Sequence, residues 1–327
     1  MGRTPHNELL EYYLYINYIT QNRLDEVKKY IDEPTNWKIA QNVYNIIQNI
    51  LYNSSEKKIY SNILNRYIPD IPFEKFIDIF GTPKIISTGT SGITFKASLN
   101  ISGKSISDAL VIKFLIKQTT VSNKDGIEEM ERELKITYHL NELRKETRGF
   151  MYGFGGFYCG IENKQQQICK TNDKSFVNIY EYINGSTFFD MVGNGMTEYN
   201  AIEILLQLMK NLVIAQTKFK FMHYALHTKN ILIITHNSPI NISIGNFNFT
   251  TIYEPVMVDF GHSQIHDEDF YETFDIEYLL YTLYGYEYLE EILYNEDNNV
   301  FYNIMQYIDF FIHRIKVLYG KFAPYAK

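Results

Sequence analysis

An amide and a carboxylate that could share a cation stand at Asn230 and Asp259. Asn230 closes the run His223-Tyr224-Ala225-Leu226-His227-Thr228-Lys229-Asn230. Asp259 follows the apolar Val256-Met257-Val258 and precedes Phe260-Gly261. A carboxylate at a strand terminus and an amide oxygen are hard ligands of the kind magnesium prefers. Lys113 stands inside the otherwise apolar Ala109-Leu110-Val111-Ile112-Lys113-Phe114-Leu115, where an unpaired ammonium is costly to bury and needs an anion. Glu129 and Glu133, in the next helical segment, are its candidate partners. Ser87, Gly89 and Gly92 belong to a strand-turn-strand pattern over 87–97, whose small residues let backbone amides approach phosphate oxygens. A tight turn alone explains the same glycines. A cation site, a lysine and such a turn are together the means of holding a phosphate group.

The elements that must carry these residues change character along the chain. Residues 7–80 show apolar positions spaced by three and four, as in 9–16 and 43–51, with breaks at Glu33-Pro34 and at Ile68-Pro69-Asp70-Ile71-Pro72. This predicts an N-terminal helical extension over 1–80. After Gly81 come short β-like runs at 85–89, 93–99 and 109–115, an amphipathic helix over 127–145, and a buried strand over 176–183 that ends at Asn184-Gly185. A long helix is expected over 198–220. Two short strands follow at 231–234 and 256–258, separated by an insertion with β-like runs of its own, and helices complete the chain from about 276. Asp275 opens the first of these, where N-capping is its simplest role. The fold class is α+β.

At 327 residues the chain can hold two or three packed units. With 31 basic and 38 acidic residues the net charge of -7 argues against a protein that coats nucleic acid, so no nucleic-acid partner is expected. Two cysteines, Cys159 and Cys169, point to reduced thiols and a cytoplasmic location. No apolar run reaches the length of a membrane span, and Met1-Gly2 lacks the Ser or Thr that acylation requires at position 6, which is His.

With these motifs in register, residues 81 to about 285 resemble the protein-kinase-like superfamily. Leu226-His227 followed by Asn230 is similar to the aminoglycoside-phosphotransferase branch and to the serine/threonine protein-kinase-like proteins of large DNA viruses. The richness in Tyr, Asn, Ile and Lys, typical of AT-rich genomes, leans toward the viral group. The resemblance implies a two-lobed fold, with an N-lobe over 81–183 and a C-lobe over 184–327. It implies ATP and magnesium as cofactors and protein hydroxyls as acceptors. Lys113 would hold the phosphates and Glu133 would hold Lys113. The backbone of Glu181 and Ile183 would meet the adenine edge, with Tyr180 at the gate, and Asn230 and Asp259 would hold the metal. Asp275 would anchor the loop that carries Asn230. Residues 1–80 are the candidate partner-docking segment, and the location implied is host cytoplasm or virion.

The chain departs from the pattern in four places. Ser87 replaces the first glycine of the phosphate turn. Only residues 262–274 separate Gly261 from Asp275, and no Ala-Pro-Glu motif occurs, so the acceptor class stays open. Ala225 stands where the resemblance places the Asp base, and a methyl group can neither accept a proton nor orient a hydroxyl. A positioned base contributes roughly 10²- to 10⁴-fold, so the expectation is a kinase inactive as it stands. The retained Lys113, Asn230 and Asp259 favour a replaced Asp over a natural pseudokinase scaffold. A small-molecule phosphotransferase is the third reading.

Overall fold

The computed structural model describes residues 37–55, 57–80, 84–88, 93–98, 113–118, 124–159, 175–244, 247–267, 271 and 274–284. The chain divides into two compact units, one of residues through Tyr138 with Tyr152–Tyr182, the other of His139–Met151 with the residues from Ile183 onward. The composition of both is mixed α and β. Among the described residues no helix is long and apolar enough to cross a membrane.

The first unit is built on a seven-stranded sheet. Its strands are β1 (Lys57–Ser61), β2 (Arg66–Asp70), β3 (Lys84–Thr88), β4 (Ile93–Ser98), β5 (Lys113–Gln118), β6 (Gly153–Cys159) and β7 (Ser175–Glu181), in spatial order β1-β2-β6-β7-β5-β4-β3. All neighbours run antiparallel except β2 and β6, which meet in parallel at Asp70 and Tyr158. Helices α1 (Trp37–Asn53) and α2 (Phe73–Phe80) cover one face. Ala40, Val43, Ile47 and Leu51 recur at intervals of three and four along α1, and this stripe packs with Phe76 of α2 against Phe95, Phe154, Phe157, Val177 and Ile179. Helix α3 (Lys124–Asn141) lies on the opposite face, where Met130 and Leu134 join Ile68, Tyr158 and Phe176.

Residues 37–80 therefore depart from the expected all-helical extension. Lys57–Ser61 and Arg66–Asp70 form a hairpin inside the main sheet, and α1 and α2 supply one of its covering layers. The alternation in Lys-Lys-Ile-Tyr-Ser and Arg-Tyr-Ile-Pro-Asp suits a strand with one face buried. Pro69 is tolerated because pairing with β6 begins only at Asp70. Residues 1–36 lie outside the described part. The cysteine expectation also changes. Cys159, buried at the end of β6, is disulfide-bonded, and the only other cysteine of the chain, Cys169, lies outside the described residues.

The second unit begins, after Asn184-Gly185, with β8 (Ser186–Thr187), α4 (Phe188–Gly193) and the long α5 (Glu198–Phe219). Thr187 and Thr197 cap the two helices by accepting from the amides of Asp190 and Asn200. Helix α5 ends where Lys220 turns to a φ of 50°, and the chain passes into β9 (Phe221–Met222). The expected pair of short strands around an insertion is instead one continuous hairpin of β10 (Ile231–Ile244) and β11 (Phe247–Met257), irregular between Thr235 and Ile240. The insertion carries its own alternating pattern, so it prolongs the ladder. Strand β12 (Gln264–Ile265) pairs with β9, and α6 (Phe274–Tyr284) ends the described chain.

Candidate functional site

In the second unit the loop between β9 and β10 is fixed by groups far away in sequence. His223 is fully buried, and its Nε2 lies 3.1 Å from the Val258 carbonyl, a separation at which the neutral ring donates. Its ring meets Phe221 edge-on and lies tilted against Phe260. Asp275, also fully buried, accepts the backbone N–H groups of His223 at 2.7 Å and of Tyr224 at 2.8 Å. The carboxylate thus serves the loop from within the first turn of α6 and does not cap that helix. Burial holds the His223 imidazole below the ordinary histidine range, with the Asp275 charge opposing. Burial likewise pushes Asp275 up, against the two N–H bonds that favour its ionised form.

Ala225 is half-buried, and its carbonyl is the loop's internal anchor. It accepts from His227 N at 2.9 Å and from Asn230 Nδ2 at 3.0 Å. Because the Asn230 amide nitrogen is committed there, its Oδ1 is the atom left to face a cation. The Asn230 carbonyl in turn accepts from Val258 N at 3.0 Å, which sets Asn230 beside the residue preceding Asp259. Asp259 is exposed and has a φ of 64°, a left-handed conformation that costs a non-glycine residue about 1–2 kcal/mol. Tyr224 shares this conformation at 61°, and its hydroxyl lies 2.8 Å from His266 Nε2. Tyr224 belongs to the loop between β9 and β10, whereas Asp259 follows β11. Burial lowers the His227 imidazole, and the Asp259 charge opposes it. Asn230 Oδ1 and the Asp259 carboxylate are oxygen donors that suit magnesium; among the described residues no group of three or more His, Cys, Asp and Glu side chains gathers.

In the first unit, Lys113 opens β5, opposite Ser98 of β4. The pairs Leu115↔Tyr180 and Lys117↔Asn178 put positions 113, 115 and 117 on the sheet face of Asn178 and Tyr180. That is the face under α3, since Asn178 Nδ2 donates to the Met130 carbonyl at 3.0 Å. Glu133 of α3 is 1% exposed, whereas Glu129 one turn earlier is half-buried, so burial distinguishes the two candidate partners of Lys113. Ser87 lies in β3, beside a register shift between Ile85 and Ser87. Strands β3 and β4 pair up to Thr88 and Ile93, and Gly89 and Gly92 fall in the joining residues outside the described part.

Glu181 is more committed than its sequence suggests. Its N–H donates to the Tyr152 carbonyl at 2.9 Å, and its Oε1 accepts the Tyr152 N–H at 2.8 Å. Ile183 is buried and begins the second unit, and Tyr180, fully buried, accepts from Asn178 Nδ2 at 2.9 Å. The Lys96 ammonium lies 4.3 Å from the centroid of the Tyr182 ring, a contact that no local sequence motif marks.

No protein-family model matches the chain. Over 182 residues, 55% of this chain, it is 27% identical to "Probable kinase 098L" of Invertebrate iridescent virus 3. The match covers 32% of that viral protein, so the chain corresponds to about a third of the length of this curated relative, and the similarity is a partial, kinase-like one.

Proposed function

We propose that this chain is a kinase-like phosphotransferase that binds ATP with magnesium and acts on serine or threonine hydroxyls of proteins, and that Ala225 deprives it of the base for the transfer step. The observation that carries this reading is the loop in which Asn230 is bound to the Ala225 carbonyl and, through Val258, set beside the left-handed Asp259. The viral relative named a kinase supports it. In this reading the two compact units are the two lobes of a protein-kinase-like fold. Lys113 holds the phosphate oxygens, Glu133 holds Lys113, and the backbone of Glu181 and Ile183 receives the base. Asn230 and Asp259 orient a magnesium ion, which when bound offsets phosphate charge. Asp275 and His223, both buried, brace the loop that carries Asn230.

Ala225 itself favours a second reading, a nucleotide-binding scaffold without catalysis. One experiment separates the two: Ala225→Asp beside the unaltered chain, incubated with labelled ATP, a mixed protein pool and a panel of small alcohols. A gain in protein labelling of roughly 10²-fold or more supports the kinase. Labelling of a small alcohol in preference would move the acceptor to metabolites. ATP binding with no labelling in either form leaves the scaffold, and absence of ATP binding in both sinks the proposal.

A further inference from the structure

A second lysine shares the sheet face of Lys113. Lys96 pairs laterally with Leu115 and with Lys84, and Thr94 pairs with Lys117, so positions 84, 96, 113 and 117 occupy one face of β3, β4 and β5, all as lysine. The opposite face at these strands carries Phe95 and Ala97, which are core residues under α1. Lys96 and Lys113 are diagonal neighbours, since Ser98, two residues beyond Lys96, is the partner of Lys113. Like charges so placed repel unless an anion lies over them. Glu133 can neutralise one ammonium of the set. Among the described residues no carboxylate pairs with Lys96. Its ammonium lies 4.3 Å from the centroid of the Tyr182 ring, the residue between Glu181 and Ile183. A ring quadrupole orients an ammonium but does not cancel its charge. The cation is therefore held at the end of the sheet face nearest the 181–183 segment, with its charge still available.

We propose that Lys96 is a phosphate-contacting residue of the nucleotide site, steered by Tyr182, and that it adds a second cation to the one supplied at Lys113. This rests on the nucleotide-binding reading above. The test is calorimetric titration of the full chain with magnesium ATP, with adenosine and with inorganic triphosphate, for the unaltered protein, Lys96→Met and Lys96→Arg. Lys96→Met keeps the apolar stem and is expected to weaken ATP and triphosphate by about tenfold or more, leave adenosine unchanged, and make ATP binding less sensitive to salt. Lys96→Arg is expected to restore both affinities. Unchanged ATP affinity in Lys96→Met, or an equal loss for adenosine and ATP, overturns the inference while the kinase-like reading stands. No binding of ATP or triphosphate by the unaltered chain overturns both. Tyr182→Leu keeps the charge and removes the ring, so a smaller loss for ATP than in Lys96→Met is expected, and it serves as the measurement if Lys96→Met does not fold. Full affinity for ATP in Tyr182→Leu would remove the steering role.

Discussion

Asp275 holds the backbone N–H of His223 at 2.7 Å, joining the first turn of the last described helix to the start of the loop that carries Asn230. The same carboxylate takes the Tyr224 N–H, so one side chain satisfies two amides at a buried site. Asp275→Ala leaves both without a partner, and each unsatisfied buried donor costs about 1–3 kcal/mol. Urea unfolding should show a loss of several kcal/mol for Asp275→Ala and a smaller one for Asp275→Asn, which keeps one acceptor. Equal stability of the alanine variant and the unaltered chain would mean that the carboxylate does not anchor the loop.

The strained backbone at Asp259 predicts a trade between stability and binding. Glycine adopts a φ of 64° without penalty, so Asp259→Gly should gain about 1 kcal/mol in thermal unfolding while losing a metal ligand. ATP affinity measured with magnesium and with a chelator should differ in the unaltered chain and should converge in Asp259→Gly and in Asp259→Ala. A magnesium effect that survives both substitutions would place the cation elsewhere.

Much of this arrangement was readable from residue types. The buried face of α1, the strands around Gly89 and Gly92 and the placement of Asp259 after an apolar strand all follow from local periodicity. Residues 57–70 look helical in sequence because Pro69 and Pro72 resemble helix breaks, whereas in the fold Pro69 lies within β2 opposite Lys58 and Pro72 directly precedes α2. The long hairpin of β10 and β11 was seen as fragments because its outer part alternates between exposed and half-buried residues and so lacks an apolar run. Contacts such as Asp275 to Tyr224, or Lys96 to Tyr182, join residues that no local pattern relates. They depend on how whole elements pack.

Burial lowers both His223 and His227, which sets the sign of a pH effect. A histidine whose folded value lies below its ordinary 6.5 binds fewer protons folded than unfolded as pH falls through that value, so stability is present above it and lost on acidification. Asp275, raised by burial, works in the opposite direction, toward more acid conditions. His227 is the cleaner probe because it stands outside the His223 and Asp275 pair. Between about pH 8 and about pH 5.5 the unaltered chain should lose more thermal stability than His227→Gln does. Parallel pH profiles for the two proteins would show that His227 is not held in its neutral form.

Residues 37–80 should behave as part of the first unit's core and not as a detachable arm. Leu51 is fully buried between α1 and the sheet, and Leu51→Ala should cost about 2–5 kcal/mol. Gly155 gives an independent check on the same interface. It has a φ of 139°, and a Cβ there would come within 2.1 Å of Gln48 Nε2, the group that donates to the Phe154 carbonyl at 2.6 Å. Gly155→Ala must therefore strain the backbone and displace Gln48, which also accepts from Arg66 at 3.1 Å. Both variants should lower the unfolding midpoint of the whole first unit in one cooperative transition. A chain begun at residue 81 should fail to fold, because it lacks two strands of the sheet and one of its covering layers. If that truncated chain instead unfolds cooperatively and binds ATP as the full chain does, residues 37–80 are an appendage after all.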